Sequence, residues 1–393
     1  MKTTGVGVGA ALTAGCMGGG NGDDDGEGPI TIGGAQPYSG PFALYGNMHT
    51  AGVEFAIEEI NENGGVLGRE LELEAADTES NPSEASTIAT RMIEQHNAAA
   101  IVGPVSSDVV LAVTPVAESQ EVPMFITAGG DPEELTQDSR YTYRTVGPNA
   151  ITAARLLIDL IEDRGYETVG AITADYAWGH AMENALSDEL GGDIEFHSEV
   201  AAFQESDFAP HLRNLPDEVD LLVGTSHPPG VHPIFQQALE IGMEWDLYTT
   251  ATAPTTASIE TIGEDITQDY TTLTIPDMFT DQFADVAERF YEATGEAFDT
   301  TIAAGYTTTH VIAEAIEAAG STDTVDVSTE IRNIEYDGLY ASPVRYTEWG
   351  EPDDIELVLT GYESGDSPWP PDSDVRPVEE YRSDPIPAYE PSE

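Results

Sequence analysis

Short apolar runs alternate with helix-length amphipathic stretches from residue 30 onward, and that alternation constrains the fold more than any other property of the chain. Ile30-Thr31-Ile32-Gly33 reads as a strand. The helix expected from about Gly46 sets Val53, Ile57 and Ile60 on one buried face, and Asn63-Gly64-Gly65 stops it. Leu71-Glu72-Leu73-Glu74 alternates like a strand with one wet face. Asn81-Pro82 then supplies an N-cap and a first-turn proline for a helix to about Gln95. Ala100-Ile101-Val102 is expected to be a buried strand, Ser107 to about Ser119 a helix, and Pro123-Met124-Phe125-Ile126 the next strand. This βαβα series implies a mostly parallel sheet covered on both faces.

A second series starts near Gly147-Pro148. Helices are expected over about Asn149 to Glu162, Ala177 to Leu190, Pro233 to Ile241 and Thr256 to Ile262. Strands are expected around Val169 to Thr173, Ile194 to Val200, Leu221 to Gly224 and Leu247 to Thr249. Helices at roughly Asp281 to Thr294 and Ile302 to Ala319 come later than that sheet needs, so they are expected to return to the first unit. The fold class is therefore α/β, with two doubly wound parallel-sheet lobes joined by several chain crossings that make a hinge. The first lobe is expected over 29–147 plus 275–335 and the second over 148–274 plus 336–363. The remainder, 364–393, carries seven prolines from Pro368 to Pro391 and many acids, and reads as a wrapped or loose tail.

The formal net charge is -60, from 73 acidic and 13 basic residues, and no lysine follows Lys2. In molar salt the Debye length falls to about 3 Å, so the carboxylates cease to repel one another and hold hydration and counter-ions instead. Such a surface resembles those of salt-in halophiles. A hydrophobic fraction of 40%, with 16 Tyr and 11 Phe, argues for a packed core rather than a disordered acidic chain. Nucleic acid is excluded as a partner, because phosphate binding needs clustered Lys and Arg. One cysteine permits no disulfide framework.

That cysteine, Cys16, closes the run Leu12-Thr13-Ala14-Gly15-Cys16 and precedes a tether rich in Gly and Asp. The segment from Gly5 to Ala14 is too short to span a bilayer but suits the apolar part of an export signal over 1–15. The run resembles the lipobox of exported lipoproteins, which implies lipidation of Cys16, a tether over 16–28, and a location on the extracytoplasmic face of the membrane. The single positive charge ahead of it, with a Gly-rich apolar part like that of twin-arginine signals, leads us to expect a start upstream of Met1. No later apolar run reaches the roughly 18 to 20 residues of a spanning helix.

Several motifs that would carry catalysis or metal chemistry fail on context. Gly5-Val6-Gly7-Val8-Gly9 lies in the signal with no preceding strand, and a P-loop is impossible without lysine. Asn21 to Gly26 begins like a calcium loop, but the twelfth position is Ile32 rather than Glu. His227 and His232 lack an obvious third ligand and are expected to be surface histidines. No nucleophile elbow or nucleophile–base pair is recognisable, so no enzyme, cofactor or metal is implied.

One ordered set of motifs has a positive reading. It comprises Gly34-Ala35-Gln36-Pro37-Tyr38-Ser39-Gly40-Pro41-Phe42-Ala43-Leu44-Tyr45-Gly46, Ile60-Asn61-Glu62-Asn63-Gly64-Gly65, Asp77-Thr78-Glu79-Ser80-Asn81-Pro82, Val102-Gly103-Pro104-Val105-Ser106-Ser107, Ile126-Thr127-Ala128-Gly129-Gly130-Asp131-Pro132, Asp175-Tyr176-Ala177-Trp178-Gly179 and Ser206-Asp207-Phe208. Over roughly residues 30 to 360 it resembles the leucine/isoleucine/valine-binding family of type I periplasmic solute-binding proteins. The resemblance implies a two-lobed receptor that closes on a small ligand and presents it to the permease and ATPase of an ABC importer. It also implies that the first lobe holds a ligand carboxylate with hydroxyls and backbone N–H groups, here at Ser106, Ser107, Ala128, Gly129 and Gly130. A helix N-terminus in these loops could accept an anion without Lys or Arg. Tyr45, Tyr176 and Trp178 match aromatic positions around the ligand, and Ser226, His227 and Thr252 lie where the second lobe contributes.

The chain departs from the family pattern twice. Gly130 stands where the family usually has Thr. The segments Gly224-Thr225-Ser226-His227-Pro228-Pro229 and Thr250-Ala251-Thr252-Ala253-Pro254 contain no acid where the family offers one to an α-ammonium. Burying an unpaired ammonium costs about 3–5 kcal/mol. Either Asp131 or Asp175 substitutes, or the ligand is an amide, urea or carboxylic acid rather than an ordinary amino acid. A sensory receptor of the same fold, reporting to a signalling partner, is the alternative function.

Overall fold

The computed structural model describes residues 28–145, 147–227, 230–250, 253–367 and 373–391. The export signal, Cys16, most of the tether and Thr252 lie outside the described residues. The first series runs β1 (Ile30–Gln36), α1 (Ala43–Glu62), β2 (Leu71–Asp77), α2 (Pro82–His96), β3 (Ala100–Val102), α3 (Ser107–Gln120), β4 (Met124–Ile126) and β5 (Thr142–Arg144). Its sheet is parallel in the order β2-β1-β3-β4-β5. Alternation within three residues is enough to cover both faces. Ala100 and Val102 join the core with α1, whereas Ile101 joins that with α2 and α3. Asn81 caps α2 through Ser83 N and Glu84 N at 2.9 and 3.1 Å, as its sequence position requires.

The second series runs α4 (Ala150–Arg164), β6 (Thr168–Ala174), α5 (Ala177–Glu189), β7 (Glu195–Ala201), α6 (Ala209–Leu212), β8 (Glu218–Gly224), α7 (Val231–Ile241), β9 (Glu244–Thr250), α8 (Thr255–Ile262) and β10 (Tyr270–Thr274). The chain then forms α9 (Asp281–Thr294), α10 (Thr300–Ala319), α11 (Thr324–Asn333), β11 (Val358–Ser364) and β12 (Val375–Arg382). The second sheet has the order β12-β11-β10-β9-β8-β6-β7, with β11 antiparallel to both neighbours and the other pairs parallel. Helices α9 and α10 return to the first lobe, where Val311, Ile312 and Ile316 join Ile30 and Ile32 in one core.

Two expected boundaries differ. Residues 336–350, expected in the second lobe, pack on the first: Tyr336, Val344 and Tyr346 enter its core, and Gly350 O accepts from Arg144 N at 3.0 Å. The chain reaches the second lobe at Ile355, Leu357 and Leu359, which join that lobe's core. The proline-rich end is not loose throughout either, because β12 completes the second sheet. Pro377 is accommodated there since β12 is an edge strand, where a missing N–H costs no ladder bond. Beyond it, Ile386 pairs with Ile355, Ala388 N donates to Asp353 at 3.1 Å, and Gln137 Nε2 donates to Pro391 O at 2.9 Å.

Helices α1 and α10 cross closely enough to require glycine on both. A Cβ at Gly52 would lie 1.9 Å from Ile302 O, and one at Gly305 would lie 2.0 Å from His49 O. Gly305→Ala is therefore expected to destabilise the fold by about 1–3 kcal/mol or more through overpacking. Chemical denaturation in molar KCl reads this directly, and an unchanged midpoint would show that the crossing relaxes freely.

Candidate functional site

Both sheets change winding direction between two strands, β1 and β3 in the first and β6 and β8 in the second. Loops at the carboxyl ends of strands beside such a switch diverge and leave a crevice. The loops that follow these four strands carry or lead to Tyr45, Ser107, Trp178 and His227. The lobes meet along this line and enclose a cleft of about 550 Å³ including its mouth. Tyr45, His49, Ser107, Ala128, Gly129, Gly130, Thr300 and Thr301 line it from the first lobe, and Trp178, His227 and Leu273 from the second, with Pro148 and Ile275 at chain crossings.

Of the residues expected from sequence, Tyr45, Ser107, Ala128, Gly129, Gly130, Trp178 and His227 come together in this cleft. Ser106 sits just behind it, buried, with φ 74° and its N–H donating to Ala128 O at 2.9 Å. Tyr176 is also behind the lining; its hydroxyl donates to Thr225 O at 3.4 Å. Ser226 is buried outside the lining. Neither acid considered for an ammonium lines the cleft. Asp131 accepts from Glu133 N at 2.8 Å, and Asp175, largely exposed, lies 2.9 Å from His180 Nε2.

The two histidines expected at the surface are enclosed. His232 is buried, with Nε2 3.2 Å from Ser258 Oγ. The His227 ring is surrounded by Phe42, Tyr45 and Tyr176, with centroid separations of 5.1, 5.2 and 5.6 Å. Its Nδ1 lies 3.2 Å from Tyr45 Oη. Burial lowers both imidazoles to about 4, so they are neutral at pH 7. Among the described residues no group of three or more His, Cys, Asp or Glu could hold a metal.

Ser107 has a role different from the one its sequence position suggests. Its Oγ accepts from Gly130 N and Asp131 N, both at 3.2 Å, so the hydroxyl shapes the cleft-lining loop from behind. The loop is pressed from two sides. A Cβ at Gly129 would lie 2.7 Å from a Glu134 carboxylate oxygen, and one at Gly130 would lie 2.0 Å from Trp178 Cζ3. The absence of a threonine at 130 is thus matched to the indole that crosses from the other lobe.

Sequence reasoning missed His49, Thr300, Thr301, Leu273 and Ile275. His49 lies one helical turn after Tyr45, on the same face of α1, and that spacing was the available signal. Asp299 caps α10 by accepting from Thr301 N at 2.9 Å, and it also accepts from Thr256 N at 2.9 Å. Leu273 lies in β10, a strand that was not recognised, and Ile275 just past its end.

A family model described as periplasmic binding protein matches residues 29–354. The chain is 32% identical over 180 residues to the chemotactic signal transduction system substrate-binding protein BasB of Halobacterium salinarum, an alignment spanning 42% of each. It is 27% identical over 357 residues to the Leu/Ile/Val-binding protein BraC3 of Rhizobium johnstonii, covering 86% of this chain and 92% of that one. The crystal structure of the leucine binding protein LivK from Thermotoga maritima superposes with a TM-score of 0.73 at 25% identity, over 91% of this chain and 99% of that one.

The contact between Gly130 and Trp178 gives a direct test of closure. Gly130→Ala is expected to weaken any cleft-bound solute at least about tenfold, and Gly130→Ala with Trp178→Ala to cost less than the sum of the two alone. Calorimetric titration of the four proteins would measure the cycle. Strict additivity would mean that the two residues do not limit closure.

Proposed function

The chain belongs to the periplasmic binding protein family, whose members are solute receptors rather than enzymes, and from that premise we propose an extracytoplasmic receptor that delivers its solute to an ABC importer. The solute is a small amphipathic molecule, a branched-chain amino acid or a related amide or carboxylate, bound by closure of the two lobes. The observation that carries this reading is the cleft at the carboxyl ends of both sheets. One wall has hydroxyls, backbone and the start of α3; the other has Trp178 and Leu273. The polar head then rests at the Ser107 and Gly129–Gly130 loops, where the α3 N-terminus carries partial positive charge, and the apolar body packs on the indole. Cys16 anchors the receptor to the membrane by lipid, and the acid-rich surface keeps it folded and dispersed in high salt.

A second reading, delivery of the ligand signal to a transducer, is favoured by the likeness to BasB. Adjacent permease and ATPase genes would separate import from sensing, as would an adjacent transducer gene. The binding claim is tested by a thermal-shift screen of amino acids, amides and organic acids in molar KCl. A true ligand at 100 times its dissociation constant stabilises by about 2.7 kcal/mol. Ser107→Ala is expected to reduce that affinity about tenfold by releasing the 129–131 loop, at a loss of about 1.4 kcal/mol. No shift from any solute class would sink the receptor reading; full affinity in Ser107→Ala would remove the loop from the site.

A further inference from the structure

His49 is only 1% exposed, lines the cleft, and has no hydrogen-bond partner at either ring nitrogen. A buried imidazole without partners calls for an explanation, because its donor and acceptor were both taken from water. The rest of the described lining is equally particular: it has hydroxyls, aromatic rings, aliphatic groups and backbone, and among the described residues neither Lys, Arg, Asp nor Glu. The nearest carboxylate on α10, that of Asp299, is fully buried and committed to Thr256 and Thr301. An α-ammonium entering here would find no anionic partner. A carboxylate would find the N-terminal end of α3 and an imidazole with both nitrogens free to bond.

We propose that the cleft selects a small monocarboxylate with an apolar body and no amino group, and that His49 takes up a proton from solvent as the carboxylate enters. This rests on the receptor reading above and names its substrate class. The proton moves from buffer to the His49 ring, giving an imidazolium–carboxylate pair of zero net charge in a cleft whose described lining has no Lys or Arg, and it returns to solvent on release. The titratable and charged surroundings of His49 are few. Tyr45 lies on its own helix with ring centroids 6.3 Å apart, and His227 faces it from the second lobe beyond Tyr45. Among the described lining residues, α10 contributes the hydroxyls of Thr300 and Thr301, with Asp299 beneath them. From the α3 side comes Ser107, with Glu134 behind it paired to Arg144.

The sign follows from burial. Desolvation lowers His49 from 6.5 to about 3, so the ring is neutral at pH 7. A carboxylate beside it favours the charged ring and raises that value. Affinity for the carboxylate therefore increases as pH falls from 8 toward 6, and the gain ends when the ligand itself protonates near pH 4 to 5.

The test uses three probes that share one apolar body: 4-methylpentanoate, L-leucine and 4-methylpentanamide. Each is titrated calorimetrically into the full chain in molar KCl, at pH 6, 7 and 8, in phosphate and in Tris. The expected result is binding of 4-methylpentanoate at least about tenfold tighter than leucine. Its apparent enthalpy should differ between the buffers by an amount that reports net proton uptake, and its affinity should rise severalfold per unit fall in pH. His49→Gln should weaken the carboxylate and remove both the buffer difference and the pH slope. The wild-type buffer comparison stands even if that variant fails to fold. Leucine or the amide binding as tightly as the carboxylate would overturn the inference, as would carboxylate binding with no proton uptake. Silence from all three probes would also overturn it. The receptor reading would then stand if another solute class stabilised the protein, and fall only if none did.

Discussion

The guanidinium of Arg144 is the fixed point around which the cleft is built. It is fully buried at the end of β5, and its Nε donates to both oxygens of Glu351 at 3.2 and 3.0 Å. One terminal nitrogen donates to Gly129 O and to Glu134, both at 2.5 Å. Burial works against its charge, yet Glu351 and Glu134 hold it protonated above its ordinary range. Burial raises Glu134 in turn, with Arg144 opposing that rise. Removing one member of such a set costs about 3–5 kcal/mol because the others remain as buried charges. The geometry is thus enforced by the penalty for breaking it. What it joins is the point: Glu134 and Gly129 bound the cleft-lining loop, and Glu351 belongs to the crossing between lobes. Asn149, which caps the first helix of the second lobe through Ile151 N and Thr152 N, donates to the same Glu351 at 3.1 Å.

From that anchor the loop has little freedom. Gly129 has no room for a Cβ because the Glu134 carboxylate held by Arg144 stands there, and Gly130 has none because Trp178 arrives from the other lobe. Ser107 ties both sides together by accepting two loop N–H groups. This wall of the cleft is backbone and small side chains positioned by a charged network one layer deeper. This separation lets the cleft be neutral inside a chain of net charge -60. In molar salt, surface carboxylates act over only about 3 Å, so recognition falls to the groups that touch the solute.

The βα alternation was legible because strands buried on both faces and helices with one buried stripe leave different periods in the sequence. The helices α9 and α10 were legible as returning to the first lobe because the second sheet was already covered. What was missed shares a physical cause. The strand β5 is three residues long and ends on Arg144, a residue type that reads as surface until its two carboxylates, one of them 207 positions away, are seen around it. Tyr270-Thr271-Thr272-Leu273-Thr274 is buried throughout, but its threonines find partners such as Tyr248 O and Thr360 Oγ1 that only the fold supplies. His49 was hidden for the opposite reason, since an isolated histidine in an amphipathic helix gives no sign that its ring will be left without a partner. The cleft loops were legible as motifs. The roles within them, with Ser107 facing backward and Tyr176 one layer behind the lining, depended on packing between segments far apart in sequence.

The C-terminal segment ties the two lobes together. The chain crosses between them after β5, after β10 and again near Ile355. Across the third crossing lies the strand end that follows β12, joined by the Ile355–Ile386 bridge and the bond from Ala388 N to Asp353. It finishes against Gln137 of the first lobe. Each of these contacts is a hydrogen bond worth about 0.5–1.5 kcal/mol net, small beside the buried cores on either side. The ring of Phe42 in the first lobe also packs against Tyr176, Phe203 and His227 of the second, with centroids 6.4, 5.6 and 5.1 Å away, so apolar contact joins the lobes as well.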